Sequence, residues 1–232
     1  MALNNYANLK TAIANFLARD DLTSEIDDFI DLTEADFNRR LRIRAMETVN
    51  TSFTIDAETE ALPTGFLQVR SFILTSTTPD RTLELLSPFH QASLSANDTT
   101  GTPRTYSIEG TNFRFQPIPG TAVTARLTFY KAFDAIDSST TTNHILTNHP
   151  DVYLYGALYF ASTFLRGMDQ QSVAQFKAQY EGALKQVEDA DDLDKYNGTP
   201  LIQRSGININ NFDNVKKCNN LLENGYLIYQ II

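Results

Sequence analysis

His144, His149 and Asp151 are the residues of this chain best suited by type to hold a metal, since two imidazoles and a carboxylate can complete a three-ligand zinc or iron site. Their spacing does not follow H-E-x-x-H, however, and Pro150 between them suits a first helical turn. The group reads better as the cap and start of a helix, with Asn148 or His149 capping and Asp151 favouring the dipole. The carboxylate pairs Asp20-Asp21 and Asp27-Asp28 have the chemistry of a glycosidase acid and base, with Asp27, Asp31 and Asp151 the residues to test, but their helical setting predicts exposure to water. Cys218 sits in an Asn- and Lys-rich tail without a nearby histidine, and the chain has no G-x-x-x-x-G-K, G-x-G-x-x-G or G-x-S-x-G. Arg39, Arg40, Arg42 and Arg44 could meet phosphates. Their simpler use is to complement a helix C-terminus and pair with acids on neighbouring helices or subunits. No catalytic residue, cofactor or metal is therefore assigned, and the chain is read as a non-enzyme.

The composition sets the bounds within which those residues act. The chain has 232 residues, 19 basic and 28 acidic side chains and one cysteine, giving a formal charge of −9. That length suggests one elaborate domain or two small ones. The charge argues against tight embrace of duplex nucleic acid, because such affinity comes chiefly from basic groups neutralising phosphates. One cysteine excludes an intrachain disulfide framework. The Met1–Asn5 start lacks the pattern of a secretory signal, so a cytosolic origin is expected. Residues 133–193 carry three basic and nine acidic groups, two thirds of the net charge, and run into five acids between Glu188 and Asp194, read as a solvated helix end. Residues 194–232 are slightly basic, with four basic and three acidic groups.

Helices, strands, helices and a tail follow one another. Leu9, Ile13, Phe16 and Leu17 recur at helical spacing. A second helix is predicted from Ser24, as cap with Asp27 in the capping-box position, to about Met46. Its apolar stripe is Ile26, Phe29, Ile30, Thr33, Phe37 and Leu41; its acids lie in the first half and its arginines in the second, as the dipole favours. Period-two patterns then predict strands over 51–55, 68–74, 82–86, 105–108, 112–116 and 122–131, with a tight hairpin at Ile108-Glu109-Gly110-Thr111 and a short helix over 89–94. Residues 137–143 read as loop. From Val152 to Leu165 a helix is apolar almost all round, with Tyr153, Tyr155 and Tyr159, and must be covered by its own domain or by neighbouring subunits; it is too short to span a membrane. A last helix is expected from about Gln170 to Leu193. Beyond Tyr196 periodicity ends, and the strand-prone run from Tyr226 to Ile232 calls for a partner surface. The fold class is α+β: an antiparallel helical bundle (residues 1–47 and 148–193) with an inserted β-rich, sandwich-like subdomain (48–132), a linker (133–147) and an extended C-terminal arm (194–232).

Three stretches together resemble the adaptor proteins of tailed phages. They are Phe37-Asn38-Arg39-Arg40-Leu41-Arg42-Ile43-Arg44-Ala45-Met46-Glu47 followed by a strand and Ala61-Leu62-Pro63-Thr64-Gly65-Phe66-Leu67; Pro103-Arg104-Thr105-Tyr106-Ser107-Ile108-Glu109-Gly110; and the run from Leu146 to Leu158. The similarity covers roughly residues 6–204, in matching order. It implies the family of head-to-tail connectors, or tail tubular protein A, of short-tailed phages. Such a protein is structural and sits in the virion tail after assembly in the host cytoplasm. It forms a ring of usually twelve copies beneath the portal, with C-terminal arms that grip the portal and a lower face that meets the nozzle, tail fibres being a further candidate partner. The arm residues this singles out are Tyr196, Pro200, Leu201, Ile202 and Arg204; subunit contacts fall to Arg39, Arg40, Arg42, Arg44, Tyr153, Tyr155 and Tyr159. The acidic body suits a conduit for double-stranded DNA that passes without specific binding. Residues 207–232 have no counterpart in the resemblance. The competing readings are another virion component, such as a tail completion or decoration protein, and a cell-wall glycan hydrolase.

Overall fold

The computed structural model describes residues 3–19, 21–22, 24–94, 100–165 and 168–196. The chain is α+β. Helix α1 (Tyr6–Leu17) starts where the Asn5 side chain accepts from the Asn8 backbone N–H at 2.9 Å, and ends at Ala18 in the left-handed region with φ 50°. It buries Leu9, Ala12, Ile13 and Leu17, while Phe16, which the spacing placed on that stripe, is exposed.

Helix α2 (Glu25–Arg40) is shorter than its charge gradient predicts. Leu41 is extended, and a 3₁₀ turn at Arg44–Met46 leads into the first strand. Leu41, Ile43 and Met46 are all buried, which a continued α-helix would not allow while also exposing the arginines between them. Nor does Ser24 form the expected capping box: its backbone is already helical and its hydroxyl donates to Glu25 at 2.9 Å.

Eight strands follow: β1 (Glu47–Ile55), β2 (Thr59–Ala61), β3 (Phe66–Leu74), β4 (Arg81–Thr82), β5 (Glu84–Leu85), β6 (Thr105–Glu109), β7 (Asn112–Gln116) and β8 (Val123–Lys131). They make two four-stranded sheets, ordered β1-β8-β3-β4 and β2-β7-β6-β5. The single strand expected over 82–86 is two: β4 pairs antiparallel with β3 in one sheet, and β5 pairs parallel with β6 in the other. Leu83 between them is buried, its N–H donating to the Phe72 carbonyl at 2.8 Å. The β6–β7 hairpin turns at Gly110, whose φ of 60° suits glycine. The two sheets share one apolar core in which Phe72 meets Phe113 at 5.4 Å and Tyr106 at 5.3 Å between ring centres. Helix α3 (Pro88–Leu94) lies against β6.

The chain then returns to the helices. A short α4 (His144–Asn148), absent from the sequence reading, forms because the Asn143 side chain accepts from the Leu146 N–H at 3.0 Å. Helix α5 (Pro150–Phe164) follows with Pro150 in its first turn; His149 occupies the N-cap position without a side-chain cap bond. Helix α6 (Gln170–Tyr196) is the longest. A second core joins α1, α2, α4, α5 and the middle of α6, where Tyr180, Ala183, Leu184 and Val187 are buried. Contact is tightest at Gly156 of α5: a Cβ there would lie 2.3 Å from Thr33 Cγ2 of α2 and 3.0 Å from the Tyr180 ring of α6.

Candidate functional site

The arginines at the end of α2 are engaged chiefly within their own chain. Arg40 bonds both carboxylate oxygens of Glu181 on α6, reaches Asp36 at 3.3 Å and lies 6.0 Å from the centre of the Tyr180 ring, whose hydroxyl donates to Asp36 at 2.9 Å. Glu181 is held below the usual carboxylate range, chiefly by its hydrogen bond with Arg40, and Arg40 is driven further toward its charged form by the same contact. Arg42 donates to the carbonyls of Asn38 at 2.9 Å and Leu41 at 2.5 Å, which closes the C-terminus of α2. The Arg44 backbone N–H donates to Asp191 at 2.8 Å. Part of the acidic run read as solvated is thus docked: Arg40, Arg42, Ile43, Glu188, Asp191 and Asp192 line one shallow pocket. The Arg39 side chain is 74% exposed, against 40% for Arg40, with Asp36 at 3.4 Å.

The tyrosines of α5 divide. Tyr153 is fully buried, so it has no surface to offer a neighbouring subunit and its assignment to subunit contacts is corrected. Its place is set by packing, since the ring meets Phe37 edge-on at 5.3 Å. Tyr155 and Tyr159 are half-buried, and Tyr159 stacks on Tyr180 at 6.4 Å. The apolar helix is covered largely by its own chain.

His144 and His149 have ring centres 6.5 Å apart, and His144 stacks on Phe133 at 5.9 Å. Burial, then the neighbouring His149, lowers the pKa of His144. Among the described residues no three metal-binding side chains converge. Asp27 is tied to Lys10 and to the Tyr6 hydroxyl, each at 2.6 Å. Burial pushes its carboxyl up, but Lys10 and Tyr6 outweigh burial and hold it below the usual range, the wrong direction for a general acid. Asp20, Cys218 and the arm residues Pro200, Leu201, Ile202 and Arg204 lie outside the described residues; Tyr196 is the last residue of α6.

Sequence reasoning missed Glu34. It is one of the acids in the first half of α2 that the dipole favours, yet only 6% of it is exposed. Its Oε1 accepts from the Tyr153 hydroxyl at 2.8 Å and from the Ile136 N–H at 2.9 Å. Asn143 Nδ2 donates to the Tyr153 hydroxyl at 2.6 Å and to the Asp134 carbonyl at 3.0 Å. One turn further along α2, Asn38 accepts from the Phe133 N–H at 2.9 Å. The signal was present: Glu34 falls four residues after Ile30 and three before Phe37, on the apolar stripe itself.

Among the described residues, what the geometry builds is a helical body with charged edges. No helix among the described residues is long and apolar enough to cross a membrane. No curated protein matches the sequence. The family model described as "SU10 adaptor protein" matches residues 4–204, from before α1 through both sheets to beyond α6, and the chain belongs to that family of structural phage adaptors.

Proposed function

We propose that the protein forms the ring that joins the portal to the tail nozzle and lines the DNA ejection channel of a short-tailed phage virion. The observation that carries this reading is the extent of the family match, which takes in the helices and both sheets as one unit. In this reading the helices act as an antiparallel bundle (1–47 and 148–193), the two sheets as an inserted sandwich (48–132), residues 133–147 as their link, and residues 194–232 as the arm that grips the portal. Twelve copies close the ring. Arg39, Arg40 and Arg44, which are exposed, and half-buried Arg42, Tyr155 and Tyr159 are the residues that would face a neighbouring subunit. The excess of acid in residues 133–193 supports a wall along which double-stranded DNA slides without sticking, since like charge repels a polyanion.

Two measurements test the proposal. Electron micrographs of the virion are expected to place this chain, in ring-closing number, at the joint between portal and tail; a position elsewhere on the particle removes the adaptor placement. Deleting residues 195–232 is expected to abolish portal binding while leaving the helical circular dichroism of the body intact. Full-affinity binding by the truncated chain removes the arm's assignment.

A further inference from the structure

We propose that Glu34 is a proton-operated lock that holds the segment running from β8 back to α4 against the helical core. The helical and β regions have separate cores, and this segment is one of the two covalent connections between them. It is strapped to α2 at two points one helical turn apart. Asn38 takes the Phe133 N–H and Glu34 takes the Ile136 N–H, while Phe133 and Ile136 themselves pack into the helical core. Asn143 and Tyr153 then tie the far end of the strap to the same carboxylate. The Asn38 pin does not titrate. Glu34 does, and it is the one charged side chain buried among the described residues.

The groups around Glu34 fix the sign. Burial pushes its carboxyl above the usual range. The Ile136 N–H and the Tyr153 hydroxyl pull it part of the way back, and the charges of Asp31 on α2 and Asp137 on the strap push it up again. Tyr153 faces it from α5, and Tyr6 of α1 stands within the field of Asp31 and Asp137. When the strap lifts, Glu34 meets water and regains an ordinary carboxyl pKa. Closing the lock therefore takes up a proton: the lock is fully made below the ordinary glutamate range and loosens as pH rises through the raised value. This is opposite in sign to an exposed ion pair, which acid weakens.

Hydrogen exchange on the full chain tests it, with rates at residues 133–136 corrected for intrinsic chemistry. Between about pH 4.5 and about pH 7.5, protection of the strap is expected to fall by about threefold or more, while the β6–β7 hairpin stays level. Glu34→Gln keeps an acceptor and removes the titration, so its strap protection is expected to be flat with pH. A Glu34→Gln slope equal to that of the unaltered protein, or protection that rises with pH in the unaltered protein, overturns the proposal. Should the variant fail to fold, the carboxyl ¹³C titration of Glu34 in the unaltered chain decides: a midpoint above the ordinary glutamate range supports the lock, and one at or below it overturns it.

Discussion

Helices α1, α2 and α5 cross one another through polar bolts as well as apolar surface: Tyr6 to Asp27, Tyr153 to Glu34, and, to α6, Arg40 to Glu181 and Tyr180 to Asp36. In the β region the residues that meet between the sheets are Phe53, Phe66, Phe72, Tyr106 and Phe113, mostly edge to face, and no charged side chain is buried among them. Direction explains the difference. A helix places a side chain every 100° or so and can aim one polar group at one neighbour, whereas sheets facing each other present whole rows that only interlocking apolar groups fill. The helical core is therefore held partly by groups that pH and salt can reach, and the β core by apolar contacts, with the ion pairs of the β region, such as Arg114–Glu58 and Arg70–Glu47, lying outside that core.

The comparison can be broken at four places. Phe113→Ala removes the ring at the centre of the β core and is expected to cost about 4 kcal/mol, read as an early thermal transition of the strands with exchange in α5 unchanged. If α5 loses protection equally, the two cores are one cooperative unit. Gly156→Ala is expected to destabilise the helices by about 2 kcal/mol, because the added methyl collides with Thr33 by more than the gain in helix propensity of about 1 kcal/mol offsets.

The Arg40–Glu181 pair is smaller in effect. Both side chains are about two-fifths exposed, so a double-mutant cycle is expected to give about 0.5 to 1 kcal/mol of coupling that shrinks with added salt. Because Glu181 is held low, that contribution is present above the ordinary carboxylate range and is lost as pH falls through its lowered value. Glu181→Gln should remove this acid-side loss and leave the opposite, Glu34-dependent trend. Smallest of all, Phe89→Ser on α3 is expected to change stability by less than about 0.5 kcal/mol, since that side chain is 80% exposed. A larger loss would show that the β region leans on residues outside its core.

Much of this was readable from residue order because each element is locally consistent. Ile26, Phe29, Ile30, Thr33 and Phe37 do form the buried face of α2, and the hairpin at Gly110 is where turn chemistry placed it. Long-range choices were less legible. The end of α2 at Arg40 is set by the burial of Leu41, Ile43 and Met46, although their alternation with Arg42 and Arg44 is itself a strand-like period. Strand β2 is three residues long and exists only because β7 is there to pair with it. Arg42 closes a helix end and Arg40 pairs with an acid of a neighbouring helix, two uses that residue type and position suggested, but that Arg40 finds Glu181, 141 positions away, is a tertiary fact. Tyr153 shows the same limit: an aromatic on an all-apolar helix gives no sign of which face is inward.

Leu83 has a mechanical consequence. A single residue carries the chain from the first sheet to the second, with Arg81–Thr82 paired on one side and Glu84–Leu85 on the other. Sliding one sheet over the other is limited at that corner to the slack of one residue, about 3.3 Å, before ladder bonds must break. The buried Leu83 side chain thus ties the edges of the two sheets together at one corner.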